Sequence, residues 1–170
     1  MLQDGLTGLA LIVPEAEPIV SAWHDPVAIA GRMPAHVTVL YPFVPLPVLT
    51  EQDCRALSEL AAAHEPVQLT LAEVGRFPEV LWLAPEPAGV VRELSAAVVN
   101  RWPTYPPYGG EFGSETIPHL TVARGLGPAE VQQAVDRIER QLPLSATVAA
   151  LTLMASRAGR WQVHQRFPFG

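Results

Sequence analysis

Two hydrophobic periods run through this chain, and the places where one gives way to the other mark its elements. Apolar residues over 6–13 predict a strand, followed by a helix from Pro18 that should stop near Asp25 and Pro26, because proline cannot continue a helix interior. A short strand is expected over 36–40. After the Pro-rich run YPFVPLPVLT, Thr50 with Asp53 three residues on reads as a capping box for a helix reaching about residue 64. Stretches 67–74 and 80–84 read as antiparallel strands joined at Arg76-Phe77-Pro78. Val91, Leu94, Val98 and Trp102 recur at helical spacing and predict a helix over 88–102. The Pro-, Gly- and Tyr-rich segment 103–116 is expected as a surface loop. Beyond it come a strand over 117–123, a helix over 128–142, and strands over 144–154 and 161–167.

The order repeats. HVTV, a helix from Thr50, VQLTLAEV and VLWLA in the first half correspond to HLTV, a helix from Pro128, ATVAALTLM and RWQVHQRF in the second. This predicts one α+β domain over 1–170, a bilobal pseudo-two-fold duplication. Each lobe should be an antiparallel sheet with helices packed outside, and a cleft should lie between the lobes.

Alternation within a strand gives the repeat its chemistry. His36 and Thr38 point to one face and Val37 and Val39 to the other; His119 and Thr121 repeat this against Leu120 and Val122. A pseudo-two-fold axis would bring two imidazoles and two hydroxyls to one point. That set suits phosphoryl transfer without a metal: one imidazole takes a proton from the attacking oxygen, the other protonates the leaving oxygen, and the hydroxyls donate to non-bridging oxygens. An imidazole pKa near 6.5 lets one ring be neutral and the other charged, and the pair titrates as a unit.

A single His-x-Thr in a strand is weak evidence, with His24, His64 and His164 also present. Two copies at matching repeat positions change the balance. Zinc is the main chemical competitor, yet neither motif offers a further His, Cys or carboxylate at a familiar ligand spacing. There is no Gly-x-Ser-x-Gly elbow for a serine nucleophile, and Cys54, the only cysteine, sits in a predicted amphipathic helix away from both motifs.

Composition narrows the partners. Hydrophobic residues make up 49% of the 170, ample for a core. The net charge of −6 disfavours extended binding to duplex nucleic acid, so any phosphate site must be local. All 11 basic residues are arginine; without lysine, ligation through a covalent lysyl adenylate is excluded. No apolar run approaches the roughly 20 residues that span a bilayer, and with one cysteine no intrachain disulfide forms, so the cytoplasm is the expected compartment; a monomer without a cofactor is a separate expectation.

HVTV at His36 and HLTVAR at His119 resemble the paired motifs of the two-histidine phosphoesterase superfamily, particularly its bacterial 2'-5' RNA ligase-like and cyclic phosphodiesterase branch. The resemblance covers nearly the whole chain. It implies a bilobal α+β fold with a central cleft, no metal, and activity on 2',3'-cyclic phosphates or 2'-5' linkages. His36, Thr38, His119 and Thr121 then form the catalytic set; members of the superfamily act on RNA ends, cyclic phosphates and other phosphodiesters, and the acidic balance and short chain favour an RNA terminus or a small cyclic nucleotide.

Other candidates are less determined. Arg124 offers a cation to phosphate only if the strand end twists, since in a regular strand it falls on the face opposite Thr121. Tyr105, Tyr108 and Phe112 in the long loop are candidates for stacking on a base, against folding onto their own domain. Trp82 and Trp161 occupy matching repeat positions and read as core or lobe-packing residues. The competing function is a nucleotide- or RNA-binding module that keeps the cleft without turnover, although binding alone does not require an acid–base pair.

Overall fold

Among the described residues, strands β1 (Thr7–Ile12), β2 (His36–Leu40), β3 (Val67–Phe77), β4 (Val80–Glu86), β5 (Leu120–Arg124), β6 (Leu144–Val148), β7 (Ala150–Arg157) and β8 (Arg160–Pro168) are interspersed with four helices. These are α1 (Glu17–Ser21), α2 (Glu51–Ala62), α3 (Ala88–Arg101) and α4 (Pro128–Glu139). The protein is seen here as a computed structural model that describes residues 2–24, 31–113 and 116–170. Among these residues no helix is long and apolar enough to cross a membrane.

The strands form one antiparallel sheet in the order β6-β3-β4-β5-β2-β1-β7-β8. Its two four-stranded halves meet where β5 lies beside β2. Each half is built from both halves of the sequence. The β3–β4 hairpin, early in the chain, flanks the second motif strand β5, whereas β7 and β8, late in the chain, reach the first motif strand β2 through β1. The repeated element order of the sequence is consistent with this arrangement of two hairpins, β3–β4 and β7–β8, in opposite halves of the sheet.

One long strand was expected over 144–154, and two are found. The chain breaks at Ala149: β6 pairs with β3 at one edge, while β7 pairs with β1 near the other. In a flat sheet the six intervening strand steps would span roughly 29 Å at about 4.8 Å each. One connecting residue reaches only about 7 Å. The sheet must therefore curl until its halves share the continuous run from β6 into β7.

Local chemistry sets the helix starts. Thr50 Oγ1 accepts the Asp53 N–H at 3.2 Å and Asp53 Oδ2 accepts the Thr50 N–H at 2.9 Å, the anticipated capping box. The Asp53 carboxylate also accepts from the Trp102 indole at 2.9 Å, tying the start of α2 to the end of α3. α3 packs on β2 and α4 on β3, so apolar stripes on both helices face the core.

Several boundaries move. α1 is short and is entered through a 3-10 turn, Pro14–Ala16; its expected stop at Asp25 and Pro26 lies outside the described residues. β3 runs on to Phe77, and the hairpin turns one step later, where Glu79 adopts a left-handed φ of 60°. α4 ends at Glu139, not 142. β5 starts at Leu120, so His119 stands just before the strand and not inside it.

Candidate functional site

The two motif strands touch through one pair, Val37 opposite Leu120, both with 0% exposure. Continuing that antiparallel register sets His36 beside Thr121 and Thr38 beside His119. Because Val37 and Leu120 face the core, alternation turns all four of these side chains to the other face. Cross-strand neighbours lie about 5 Å apart at Cβ and diagonal ones roughly 7–8 Å apart, so the imidazoles flank a space of phosphate size. His36, Thr38, His119 and Thr121 all line one cleft of ≈ 550 Å³.

Both rings are held the same way. His36 Nδ1 donates to the Pro34 carbonyl at 2.7 Å, and His119 Nδ1 donates to the Ile117 carbonyl at 2.7 Å. A carbonyl only accepts, so each neutral ring carries its proton on Nδ1, which leaves Nε2 as the free base. Burial holds His36 below the usual imidazole range; the Pro34 bond opposes this, while His119, Arg32 and Arg124 push it further down. Burial also lowers His119, opposed by the Ile117 bond and reinforced by Arg124.

The motif strands carry matching irregularities. Across β1 and β2 the register slips between Leu9, opposite Leu40, and Ala10, opposite Thr38, which leaves Val39 as an extra residue. Across β4 and β5 it slips between Leu81, opposite Ala123, and Trp82, opposite Thr121, which leaves Val122 extra. Each bulge lies three residues beyond its histidine. A bulge puts two successive side chains on one side and resets the alternation. Val39 and Leu40 are accordingly both buried, as are Val122 and Ala123. The next residue in each case, Tyr41 just past the end of β2 or Arg124 at the end of β5, thereby returns to the cleft face. Regular alternation would have turned Arg124 away. The Ser95 hydroxyl on α3 donates to the Val39 carbonyl at 2.5 Å, giving the extra residue a partner.

The loop tyrosines divide. Tyr108 lines the cleft, its N–H bonded to the Tyr41 carbonyl at 2.6 Å; burial raises its phenol pKa, countered by the Thr38 hydroxyl and by Arg124. Tyr105 is not brought to the cleft. Its ring packs beside Phe43, 6.2 Å between centroids, in the apolar cluster. Phe112 meets Tyr108 edge to face and is otherwise exposed. Trp82 departs from a pure packing role: it stacks on Phe77, and both rings stand edgewise to His119 at 6.1 and 5.2 Å. Trp161, expected as a core or lobe-packing residue, lines the cleft.

Sequence reasoning missed Glu17. One oxygen of its carboxylate accepts the Ala35 N–H at 2.7 Å and the other pairs with Arg32, which lines the cleft. Ala35 precedes His36, and Pro34 anchors its ring. Glu17 therefore clamps the segment that holds the first histidine. No local pattern marks it, since its partners lie 15 and 18 residues away. Tyr41 was also missed, although its place in the repeat matches that of Arg124.

Chemically, the site offers two basic nitrogens in a cleft lined also by the Thr38 and Thr121 hydroxyls, two phenols and two guanidiniums, of which Arg32 is paired with Glu17. Among the described residues no three His, Cys, Asp or Glu side chains group as a metal site.

The sequence matches the family model of the 2'-5' RNA ligase superfamily over residues 12–160. Among solved structures, E. coli LigT in its apo form superposes with a TM-score of 0.61 at 22% identity, over 99% of each chain. LigT complexed with 3'-AMP gives 0.60 at 20% identity, again over 99% of each chain. The TT0787 protein of Thermus thermophilus gives 0.63 at 21% identity, over 96% of this chain and 97% of that one. At these identities the likeness shows the fold. No curated protein sequence matches the chain.

Proposed function

The chain belongs to the 2'-5' RNA ligase superfamily, and from that premise we propose that it is a metal-independent phosphoesterase opening nucleoside 2',3'-cyclic phosphates to 2'-phosphates. The observation that carries this reading is the quartet about the Val37–Leu120 pair, with both Nδ1 atoms occupied and, among the described residues, both Nε2 atoms free. One neutral imidazole takes a proton from water at Nε2 as the water oxygen attacks phosphorus. The bond from phosphorus to the 3'-oxygen breaks, and the other imidazole, protonated, gives its Nε2 proton to that oxygen. The two rings end with their protonation states exchanged. Thr38 and Thr121 donate to the non-bridging oxygens and Arg124 offsets their charge. With a 5'-hydroxyl in place of water, the same steps form a 2'-5' linkage. That LigT has been solved with 3'-AMP, ATP and NADP+ supports nucleotides as the ligand class.

The test is ³¹P NMR of the purified protein with nucleoside 2',3'-cyclic phosphates in excess chelator. The expected product is the 2'-phosphate at an undiminished rate. Loss of turnover in chelator with recovery on adding zinc would contradict the reading, and tight binding without any turnover would favour the non-catalytic module.

A further inference from the structure

One end of the cleft takes no part in the proton transfers. There the Tyr41 ring lies over Gly8 of β1, where an added Cβ would stand 3.2 Å from Tyr41 Cδ2. Gly8 thus makes the room that lets Tyr41 lie in the cleft. Tyr41 meets Trp161 of β8 edge to face, with centroids 6.0 Å apart at 72°. The Trp161 N–H donates to the Gly31 carbonyl at 3.0 Å, which ties this wall to the segment leading to His36. Both aromatic rings line the cleft and both are only half-buried.

The repeat supplies a comparison. Trp82 has a ring face covered by Phe77, stacked at 4.8 Å and 26°, and it fills the space over Gly75, where a Cβ would come within 2.2 Å. Among the described residues no aromatic ring stacks on Trp161. One tryptophan is thus used by the protein itself, and the other presents its ring to the cleft.

We propose that Tyr41 and Trp161 form a stacking subsite for the nucleobase of the substrate, on the footing of the phosphoesterase reading above. The phosphate occupies the quartet while the base lies against Trp161. The subsite selects nucleosides over other diesters but reads base identity weakly. Base edges are read by amides, carboxylates and guanidiniums; among the described residues no Asn, Gln, Asp or Glu side chain lines this cleft, Arg32 is engaged by Glu17 and the Met33 carbonyl, and Arg124 serves the phosphate. Stacking is indifferent to sequence because every base has a π-face. Cyclic phosphates of all four common nucleosides should therefore have kcat/KM values within about tenfold of one another.

The experiment compares Trp161→Ala and Trp161→Phe with the wild type on adenosine 2',3'-cyclic phosphate and on glycerol 1,2-cyclic phosphate, which has no base. Losing one stacking partner should lower the adenosine-to-glycerol ratio of kcat/KM roughly 5- to 150-fold in the Ala variant, mainly through KM. The Phe variant, which retains a ring, should recover much of the ratio. In parallel, adenosine alone should move the Trp161 indole N–H signal in ¹H–¹⁵N spectra of the wild type. An unchanged ratio in Trp161→Ala, or a Trp161 signal indifferent to adenosine beside normal turnover, overturns the subsite. If neither diester is hydrolysed, the phosphoesterase reading falls, and the adenosine titration alone still decides the subsite.

Discussion

Replacing Glu17 by Ala should cost both stability and catalysis, although Glu17 belongs to neither motif. The Ala35 N–H is buried, and removing its acceptor leaves an unsatisfied donor worth about 1–3 kcal/mol. The Arg32–Glu17 pair has side chains 16% and 37% exposed, so solvent screening limits it to about 1 kcal/mol or less. Together these give roughly 1–4 kcal/mol, or about 2–16 °C in Tm at this chain length. Catalysis should fall for a different reason. With Glu17 gone, Arg32 acts unopposed on His36 and drives its pKa further down, and the Pro34 anchor loses its support. A misplacement of about 1 Å can cost 10²-fold. Glu17→Gln keeps an acceptor for Ala35, so it should recover much of the Tm while leaving the shifted pH profile. The assays are thermal melting and kcat/KM against pH. A Glu17→Ala protein with wild-type Tm and an unmoved profile would refute the clamp.

Both imidazoles sit below their usual range in the free protein, so kcat/KM should trace a bell centred below pH about 6.5. An anionic substrate raises both, so the kcat bell should lie at higher pH; coincident bells centred above 7 would count against this electrostatic picture. Thr38→Val and Thr121→Val should lower kcat by up to about 10²–10³-fold with little change in Tm. Val37→Thr and Leu120→Thr, on the buried seam, should instead lower Tm with no specific loss of rate; the reverse pattern in melting and kinetics would mean that the strand faces are exchanged. Arg124→Met should raise KM about 10- to 150-fold, the worth of a charged hydrogen bond, and an unchanged KM would place Arg124 outside the phosphate site.

What the sequence discloses, and what it withholds, follows from the range of each interaction. The His-x-Thr-x repeat and the Thr50–Asp53 box are local patterns, and both have direct structural counterparts. The bulges at Val39 and Val122 leave no such trace, because a valine reads the same in a bulge as in a regular strand. This is why strand alternation alone leaves the face of Arg124 open, and why Tyr41 does not stand out. ATVAALTLM holds two threonines among apolar residues and no Gly, Pro or charge, so nothing in it marks the break at Ala149, where the chain passes from one edge of the sheet toward the other. Tyr105 and Tyr108 lie in one loop of uniform composition. Phe43, far away in sequence, is among the residues that hold the first against the core.

The central claim is that His36 and His119 act as one acid–base pair. Its most direct test is turnover of a nucleoside 2',3'-cyclic phosphate, in chelator, by the wild type and by His36→Ala and His119→Ala proteins shown by melting to be folded. Each variant should lose about 10²–10⁴-fold in kcat, by comparable factors, and the double variant should lose far less than the product of the two. A folded His36→Ala or His119→Ala protein with wild-type kcat would contradict the account.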